Sequence, residues 1–384
     1  MPHRLGIFCI YDAEGILDKA ILSTIKDLRA CLTDLVVVVN GSLQECYLQQ
    51  VSHIASQVVI RPNTGFDAGA YKDVLFHHLS PAQLRQYDEF VFCNDTFYGP
   101  FIPFADIFRE MANRNCDFWA LSYSAGQLID FLHSYFLCFH FDPFFKTVLP
   151  YMERYVREDN TSLNAVYSFF EEAMFQQLCK DGYHFASYAL SNNLILYKCN
   201  NIFLRDYNLP ILKKKFFSKE HYQEQNVFDA LQYVAARYPA YLPDILVSIH
   251  RKFHLSISRE EILRFPPSVP IPFFREFKMT ATKASISEFL TKYSRYYIYG
   301  AGQWGQILYA VYLEETGKTQ GFVCSDAAHL PASGQVLGVP VFPLCDVHPD
   351  ADTGMIVALG AENTKAVRPL LSAFSPNQLY YLYG

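Results

Sequence analysis

Five short apolar runs, each followed by residues with helical spacing, set the limits on what this chain folds into. Leu5–Tyr11 reads as a strand, and Leu17, Ile21, Leu22, Ile25, Leu28 and Leu32 then recur at helical spacing. Leu35–Val39 is a continuous apolar run closed by Asn40-Gly41, the pattern of a strand buried on both faces. Val58–Ile60, Phe90–Cys93 and Phe118–Leu121 read as three more strands, with helical segments such as Ser80–Gln86 and Ile102–Met111 between them. This alternation predicts an α/β fold with a mostly parallel sheet. Ligands of such sheets sit beyond the carboxyl ends of the strands.

From about Phe131 to Leu263 the chain reads as mainly helical and rich in Phe and Tyr. Pro266-Pro267, Pro270 and Pro272 make a stiff, strand-breaking connector. The expected division is a domain over residues 1–265, a Pro-rich linker over 266–288 and a second domain over 289–384. Hydrophobic residues at 51% and charged residues at 18% exclude a disordered chain, and a net charge of −6 argues against a nucleic-acid partner. No apolar run reaches the roughly 18 residues that a membrane span needs. The opening MPHRLGIFCIYDAEG lacks a signal-peptide core and reads as a first strand. The ten cysteines are scattered singly, which predicts small buried hydrophobes in a reducing compartment rather than zinc ligands or disulfides.

The strand ends carry polar residues where a site on such a sheet would lie. Tyr11-Asp12 follows the first strand and Asn40-Gly41 the second. Arg61-Pro62-Asn63-Thr64-Gly65-Phe66-Asp67-Ala68-Gly69-Ala70-Tyr71-Lys72 follows the third, and Asn94-Asp95-Thr96 the fourth. One such turn is ordinary turn chemistry. Four successive strand ends with carboxylates and amides predict a shared site.

These segments resemble the rhamnan synthesis protein F family. The resemblance rests on YDAEGILD (Tyr11–Asp18), VVVVNG (Val36–Gly41), RPNTGFDAGAYK (Arg61–Lys72), YDEFVFCNDTFYGP (Tyr87–Pro100), HSYF (His133–Phe136) and EEAMFQQLCKDGY (Glu171–Tyr183), over roughly residues 1–265. It implies a GT-A-type glycosyltransferase domain that builds rhamnose-containing cell-surface polysaccharide. It further implies a dTDP-rhamnose-like nucleotide-sugar donor and a growing polysaccharide acceptor, lipid-linked or free. The expected location is cytoplasmic, with peripheral contact at the inner membrane face.

Sugar transfer from a nucleotide diphosphate needs three services: neutralisation of the leaving diphosphate, deprotonation of the acceptor hydroxyl, and a fixed donor geometry. By the resemblance, Asp95 stands where GT-A enzymes carry an Asp-x-Asp metal motif. Here the triplet is Cys93-Asn94-Asp95, so only the second carboxylate is present to hold Mg²⁺ or Mn²⁺. Arg61, Asp67, Lys72 and Asn94 are the donor-site candidates, and Asp12 is placed near the nucleoside. Asp67 would accept from a sugar or ribose hydroxyl, and Lys72 would face phosphate as a point charge. Glu171 is the base candidate, at the acidic start of a helix that ends at Gly182. Glu172 is adjacent, and because helix neighbours point about 100° apart only one of the two faces a cleft squarely. Lys213-Lys214-Lys215, followed by Phe216-Phe217, reads as a solvated loop or as a contact for phosphates and anionic headgroups. His133 and His184 read as satisfied core histidines.

The last segment opens a second strand–helix alternation. Tyr296–Tyr299 leads directly into Gly300-Ala301-Gly302-Gln303-Trp304-Gly305 and a helical run, and a strand over Phe322–Cys324 ends near Asp326. This is Gly-x-Gly-x-x-Gly in its strand–turn–helix context, with an acid 21 residues after the last glycine (326 − 305 = 21). Met355–Leu359 and Leu379–Tyr383 read as later strands. The pattern predicts a small Rossmann-like module in an accessory role, with NAD(P) not expected because the module holds one mononucleotide-binding half and no Tyr-x-x-x-Lys. Two other functions stand beside glycosyl transfer: a NAD(P)-dependent sugar-nucleotide oxidoreductase or epimerase acting through this loop, and a non-catalytic scaffold in polysaccharide assembly.

Overall fold

The computed structural model describes residues 2–124, 126, 128–189, 194–267, 269–273 and 279–383. Contacts divide the chain into two compact units: residues 1–124, 132–161 and 178–275 form the first, and residues 125–131, 162–177 and 276–384 the second. Within the expected linker over 266–288, residues 268 and 274–278 lie outside the described residues.

The first unit is built on a seven-stranded sheet. Its strands are β1 (Arg4–Tyr11), β2 (Asp34–Asn40), β3 (Gln57–Arg61), β4 (Glu89–Asn94), β5 (Phe118–Ala120), β6 (Phe136–His140) and β7 (Phe185–Ser187), in the order β7-β5-β6-β4-β1-β2-β3. β1 pairs in parallel with both β2 and β4, and β2 with β3. β6 runs antiparallel to its neighbours β4 and β5, whereas β7 pairs in parallel with β5. The expected mixed α/β fold with a large, mostly parallel sheet is what the chain forms. β6 and β7 fall in a stretch that reads as helical from sequence. FLCFH is a short apolar run with no alternation, and periodicity alone does not separate such a run from a buried helical turn.

Side chains of β4 show how the sheet is covered. Val91 and Cys93 face one side, in the apolar cluster that holds Ile21, Ile25 and Leu28 of the helix Lys19–Arg29 and Ile107 and Phe108 of the helix Phe104–Met111. Phe90 and Phe92 point to the other side, as the two-residue period of a strand requires. There Phe92 stacks on Tyr71 with ring centroids 4.6 Å apart, and Phe90 stacks on Phe144. A second apolar cluster joins Tyr98, Phe216 and Phe217 to the helices Glu224–Arg237 and Leu242–Phe253. It brings Leu212–Lys213 alongside Phe97–Tyr98 as an antiparallel pair, just past the end of β4.

The second unit carries a six-stranded sheet. Its main strands are β8 (Arg295–Tyr299), β9 (Thr319–Cys324), β10 (Val339–Pro343), β11 (Thr353–Val357) and β12 (Leu379–Tyr381), in the order β10-β9-β8-β11-β12 and all parallel, with the short strand Gln335–Val336 antiparallel on the β10 edge. Tyr299, Val323, Met355 and Val357 share its core with Val367, Leu371 and Phe374. No helix of the described residues is long and apolar enough to cross a membrane.

Phe92 is fully buried and contacts Tyr71, Phe139 and Phe144 through ring faces and edges. Phe92→Ala is expected to lower the unfolding free energy by about 3–5 kcal/mol, read as a lower urea midpoint at unchanged slope.

Candidate functional site

Because β1, β2, β3 and β4 are parallel neighbours, their carboxyl ends open onto one rim, and each end delivers a polar residue to it. Tyr11 pairs in register with Asn40, Asn40 with Arg61, and Cys9 with Asn94. Asp12, Asn40, Arg61, Asn94 and Asp95 are all buried there.

Asn94 is the hub of one half. Its amide nitrogen donates to Asp67 Oδ2 at 2.7 Å, and its amide oxygen accepts from Thr96 Oγ1 at 2.6 Å and from the Thr96 backbone N–H at 3.2 Å. Ser134 Oγ also donates to Asp67, at 3.3 Å. Burial pushes the Asp67 carboxyl above its ordinary range, and the Asn94 and Ser134 hydrogen bonds offset part of that rise. Asp67 lies in the first turn of a helix, Phe66–Asp73, that the sequence reading treats as strand-end loop. Gly65 starts it with φ +65°, and a Cβ there would stand 2.8 Å from the Arg157 carbonyl oxygen. Glycine is therefore required for the segment to pass this close to the chain near residue 157.

Arg61 and Lys72 are held by the unit itself. Arg61 Nη1 donates to Asn40 Oδ1 at 2.9 Å and Nη2 to the Glu158 carbonyl at 3.3 Å, while Nε lies 3.5 Å from Asp73. Lys72 Nζ donates to the Glu153 and Val156 carbonyls at 2.8 and 2.7 Å, at the end of the helix Leu149–Tyr155. Ammonium groups at helix C-termini satisfy orphan carbonyls.

The other half is a cluster of charges. Asp12 Oδ2 lies 2.8 Å from both Arg251 Nη2 and Lys252 Nζ, and Asp12 Oδ1 accepts from the N–H groups of Glu14 and Ile16. Asp18 pairs with Arg251 at 3.0 Å and accepts from Ser248 Oγ at 2.6 Å. Burial alone would raise the Asp12 carboxyl, but the Arg251 and Lys252 hydrogen bonds outweigh it and hold the group well below the usual carboxylate range. Asp95 pairs with Lys214 Nζ at 3.1 Å, both groups being buried. Burial pulls the Lys214 ammonium below its ordinary value, against the opposing pull of Asp95. Lys252 is also depressed by burial, yet Asp95, Asp12 and Asp18 together lift it above its ordinary value.

Three expectations need correction. The triple lysine is no solvated loop: Lys213 and Lys214 are buried, and Lys213 donates to Thr96 Oγ1 at 2.6 Å over the ring of Tyr135. Phe216 and Phe217 are buried too, and of the three lysines only Lys215 is exposed. His184 is exposed rather than a core residue, 3.5 Å from Asp117; His133 is buried and bonded to Ser122 Oγ at 2.7 Å as expected. Glu171 is not at a helix start, because the helical stretch begins at Leu163 and runs to Lys180, with Gly182 at φ +86° beyond it. Glu171 belongs to the second unit, whereas Asp12, Asp67 and Asp95 belong to the first.

Lys214, read from sequence as solvated loop or phosphate contact, completes the rim together with Ser248, Arg251 and Lys252, which escape the sequence reading. Their signal was faint: Lys213-Lys214 sits between apolar neighbours, and Arg251-Lys252 closes an amphipathic helix where basic residues ordinarily complement the dipole. Among the described residues Asp73, His77 and Glu158 form a separate group with metal-ligand chemistry, beside Arg61.

Asp12→Asn is expected to cost about 3 kcal/mol of stability at neutral pH, since it leaves part of a half-buried cationic pair uncompensated. The depressed carboxyl contributes stability that is complete above its unfolded pKa of about 4 and lost as pH falls toward the folded value. Urea titrations at pH 7 and pH 3 check this: the gap between wild type and Asp12→Asn narrows at pH 3, and a constant gap contradicts it.

No curated protein matches the chain by sequence. Among solved structures it is similar to the mannosyltransferase PcManGT from Pyrobaculum calidifontis, in complex with GDP-Man and Mn²⁺, at 10% identity over 65% of this chain and 69% of that one, with a TM-score of 0.34. TarS from S. aureus aligns at 10% identity over 83% of each chain, with a TM-score of 0.29. Core-mannan synthase A from Aspergillus fumigatus, in its Mn/GDP form, aligns at 10% identity over 39% of this chain and 63% of that one, with a TM-score of 0.24. These likenesses are distant. The family described as rhamnan synthesis protein F matches residues 35–255, a stretch that holds Asp67, Asn94, Asp95, Lys214, Arg251 and Lys252. That match spans more than half of the chain, and the chain therefore belongs to the rhamnan synthesis protein F family.

Proposed function

We propose that this protein is a glycosyltransferase that moves a sugar, rhamnose by the family's description, from a nucleotide diphosphate to a growing cell-surface polysaccharide. The observation that carries the reading is the charge balance of the rim. Lys214, Arg251 and Lys252 stand against Asp12, Asp18 and Asp95, all drawn together at the carboxyl ends of parallel strands. Each of these three cations already faces a carboxylate rather than an incoming diphosphate. An added cation supplies positive charge for the diphosphate, and the hard carboxylate oxygens of Asp95 suit Mg²⁺ or Mn²⁺. Asp95 would hold the ion, with Lys214 beside it, and donor phosphates and water would complete the oxygen set. When bound, the ion neutralises charge on the leaving diphosphate.

In the transfer, the acceptor hydroxyl oxygen bonds to the anomeric carbon and the bond from that carbon to the diphosphate breaks. The hydroxyl proton passes to a carboxylate, for which Glu171 is our assignment, and the nucleoside diphosphate leaves with the bonding pair. Attack opposite the leaving group inverts the anomeric centre. Asp67, held by Asn94 and Ser134, supplies an acceptor for a donor hydroxyl. A dTDP-linked sugar and a lipid-linked or free polysaccharide are the donor and acceptor that this reading takes.

A thermal-shift titration with dTDP-rhamnose tests the cation. Stabilisation is expected in the presence of Mg²⁺ or Mn²⁺ and at least tenfold weaker donor binding after chelation or in Asp95→Asn; an equal shift in EDTA contradicts the assignment. Glu171→Gln is expected to cut transfer by at least 10²-fold while donor affinity stays within about twofold. Near-normal turnover in that variant removes Glu171 from the mechanism and leaves the donor site standing.

A further inference from the structure

The second sheet has its own rim, which the proposed transfer does not use. In the order β10-β9-β8-β11-β12, the chain fills one side outward from β8 and then returns to fill the other from β11. The switch point therefore lies between β8 and β11, where an open parallel sheet forms a crevice beyond its strand ends. A cavity of about 670 Å³ opens there, lined among others by Tyr299, Gly302, Cys324, Ser325, His329 and Asn363. Ligand pockets generally span about 300–1,000 Å³.

The three glycines of the turn after β8 have different causes. Gly300 has φ +98°, and a Cβ there would lie 2.8 Å from Leu359 Cδ2. A Cβ on Gly305 would stand 1.9 Å from the Gly300 carbonyl oxygen. The fold itself demands both. Gly302 is different: its φ of −78° and ψ of −166° suit any residue, and a Cβ there would meet nothing within 4 Å. Among the described residues nothing lies close enough to require a glycine here, and Gly302 lines the cavity.

Among the described residues no Lys or Arg lines the cavity. A phosphate in it is held by backbone N–H groups, and that needs the close approach that glycine permits. Asp326 follows β9 at the rim. Its Oδ1 takes both the Ala328 N–H at 2.9 Å and the His329 ring at 2.8 Å, and its exposed side chain stands beside the lining residues Ser325 and His329. A carboxylate at this position accepts from a ribose 2′-hydroxyl and repels a 2′-phosphate.

We propose that this crevice binds a nucleoside diphosphate with an unmodified ribose, its diphosphate against Gly302 and its 2′-hydroxyl toward Asp326. The diphosphate belongs either to a sugar nucleotide or to a dinucleotide. This site is independent of the transferase reading, and its selectivity for ribose sets it apart from a site for a dTDP-linked donor.

Hydrogen-exchange mass spectrometry on the full chain locates the ligand directly. UDP-glucose and NAD are the two arms, with 2′-deoxy-ADP, ADP and NADP as ribose controls. Protection of residues 299–306 and 323–329 by UDP-glucose or by NAD is expected, with ADP protecting more strongly than 2′-deoxy-ADP and NADP less than NAD. Gly302→Val is expected to keep the wild-type melting temperature and to weaken this protection at least tenfold in ligand concentration. Asp95→Asn, in the other unit, is expected to leave it intact. Absence of protection in these segments with both UDP-glucose and NAD, or equal protection in Gly302→Val, overturns the proposal.

Discussion

The pairing of Asp12 and Asp18 with Arg251 and Lys252 is the constraint on which the first unit's rim depends. It joins residues 239 positions apart in the chain, at the end of β1 and at the end of the helix Leu242–Phe253. Taking two carboxylates out of water and two cations partly out of it is costly, and their attraction offsets that cost only when lone pairs and protons find partners. Here the partners are present: Asp12 also takes two backbone N–H groups, Asp18 takes the Ser248 hydroxyl, and Tyr98 in turn bonds Ser248 at 2.8 Å. The helix end adds its own contribution, since cations near a C-terminus are favoured by the aligned peptide dipoles. An apolar repacking would hold the helix as well, but it would leave no charge at the strand ends.

Asn94 illustrates how the rim distributes its carboxylates. An acid in place of Asn94 would put two carboxylates 2.7 Å apart, because Asp67 Oδ2 already sits there. Like charges at that distance force one group to stay protonated. The amide solves the problem in two directions at once, donating to Asp67 and accepting from Thr96. So the amide of the triplet Cys93-Asn94-Asp95 faces a carboxylate, Asp67, from the helix that follows β3.

The sheet of the first unit was legible because its strands are short, apolar on both faces and punctuated by Asn, Gly and Asp. Strand limits read as Leu35–Val39 and Phe90–Cys93 appear in the structure as Asp34–Asn40 and Glu89–Asn94, differing only at the edges where polar residues enter. β6 was hidden by its lack of alternation, and the helix at Phe66 by the Gly and Asn that precede it, which usually signal loop. Asp12 and Asp95 were legible because each follows a strand directly, and Asp67 because its segment is rich in Gly and Asn, whereas Asp18 was not. The cationic partners were not legible either. Arg251 and Lys252 lie more than 230 residues from Asp12 and Asp18, and only tertiary packing decides whether a basic helix end meets solvent or acid. Lys214 is the sharpest case: a run of three lysines reads as surface, yet the apolar Phe216 and Phe217 pull the segment inward and bury two of the three charges.

The two sheets apply the same strand-end rule to opposite electrostatic ends. In the first unit the rim is crowded with its own charges, and Lys214, Arg251 and Lys252 there are already matched by carboxylates. A phosphate arriving at such a rim must either displace an internal partner or bring a counter-charge with it, which makes recognition sensitive to ions in solution. In the second unit the crevice is lined without Lys or Arg among the described residues, and the turn after β8 presents bare backbone at Gly302. Backbone N–H groups are fixed dipoles that need no counter-ion and lose little when a ligand leaves, because no buried charge is then left unpaired. The first arrangement suits a site where charge must be managed as a bond breaks. The second, with no Lys or Arg among its described lining residues, suits a ligand that is held unchanged.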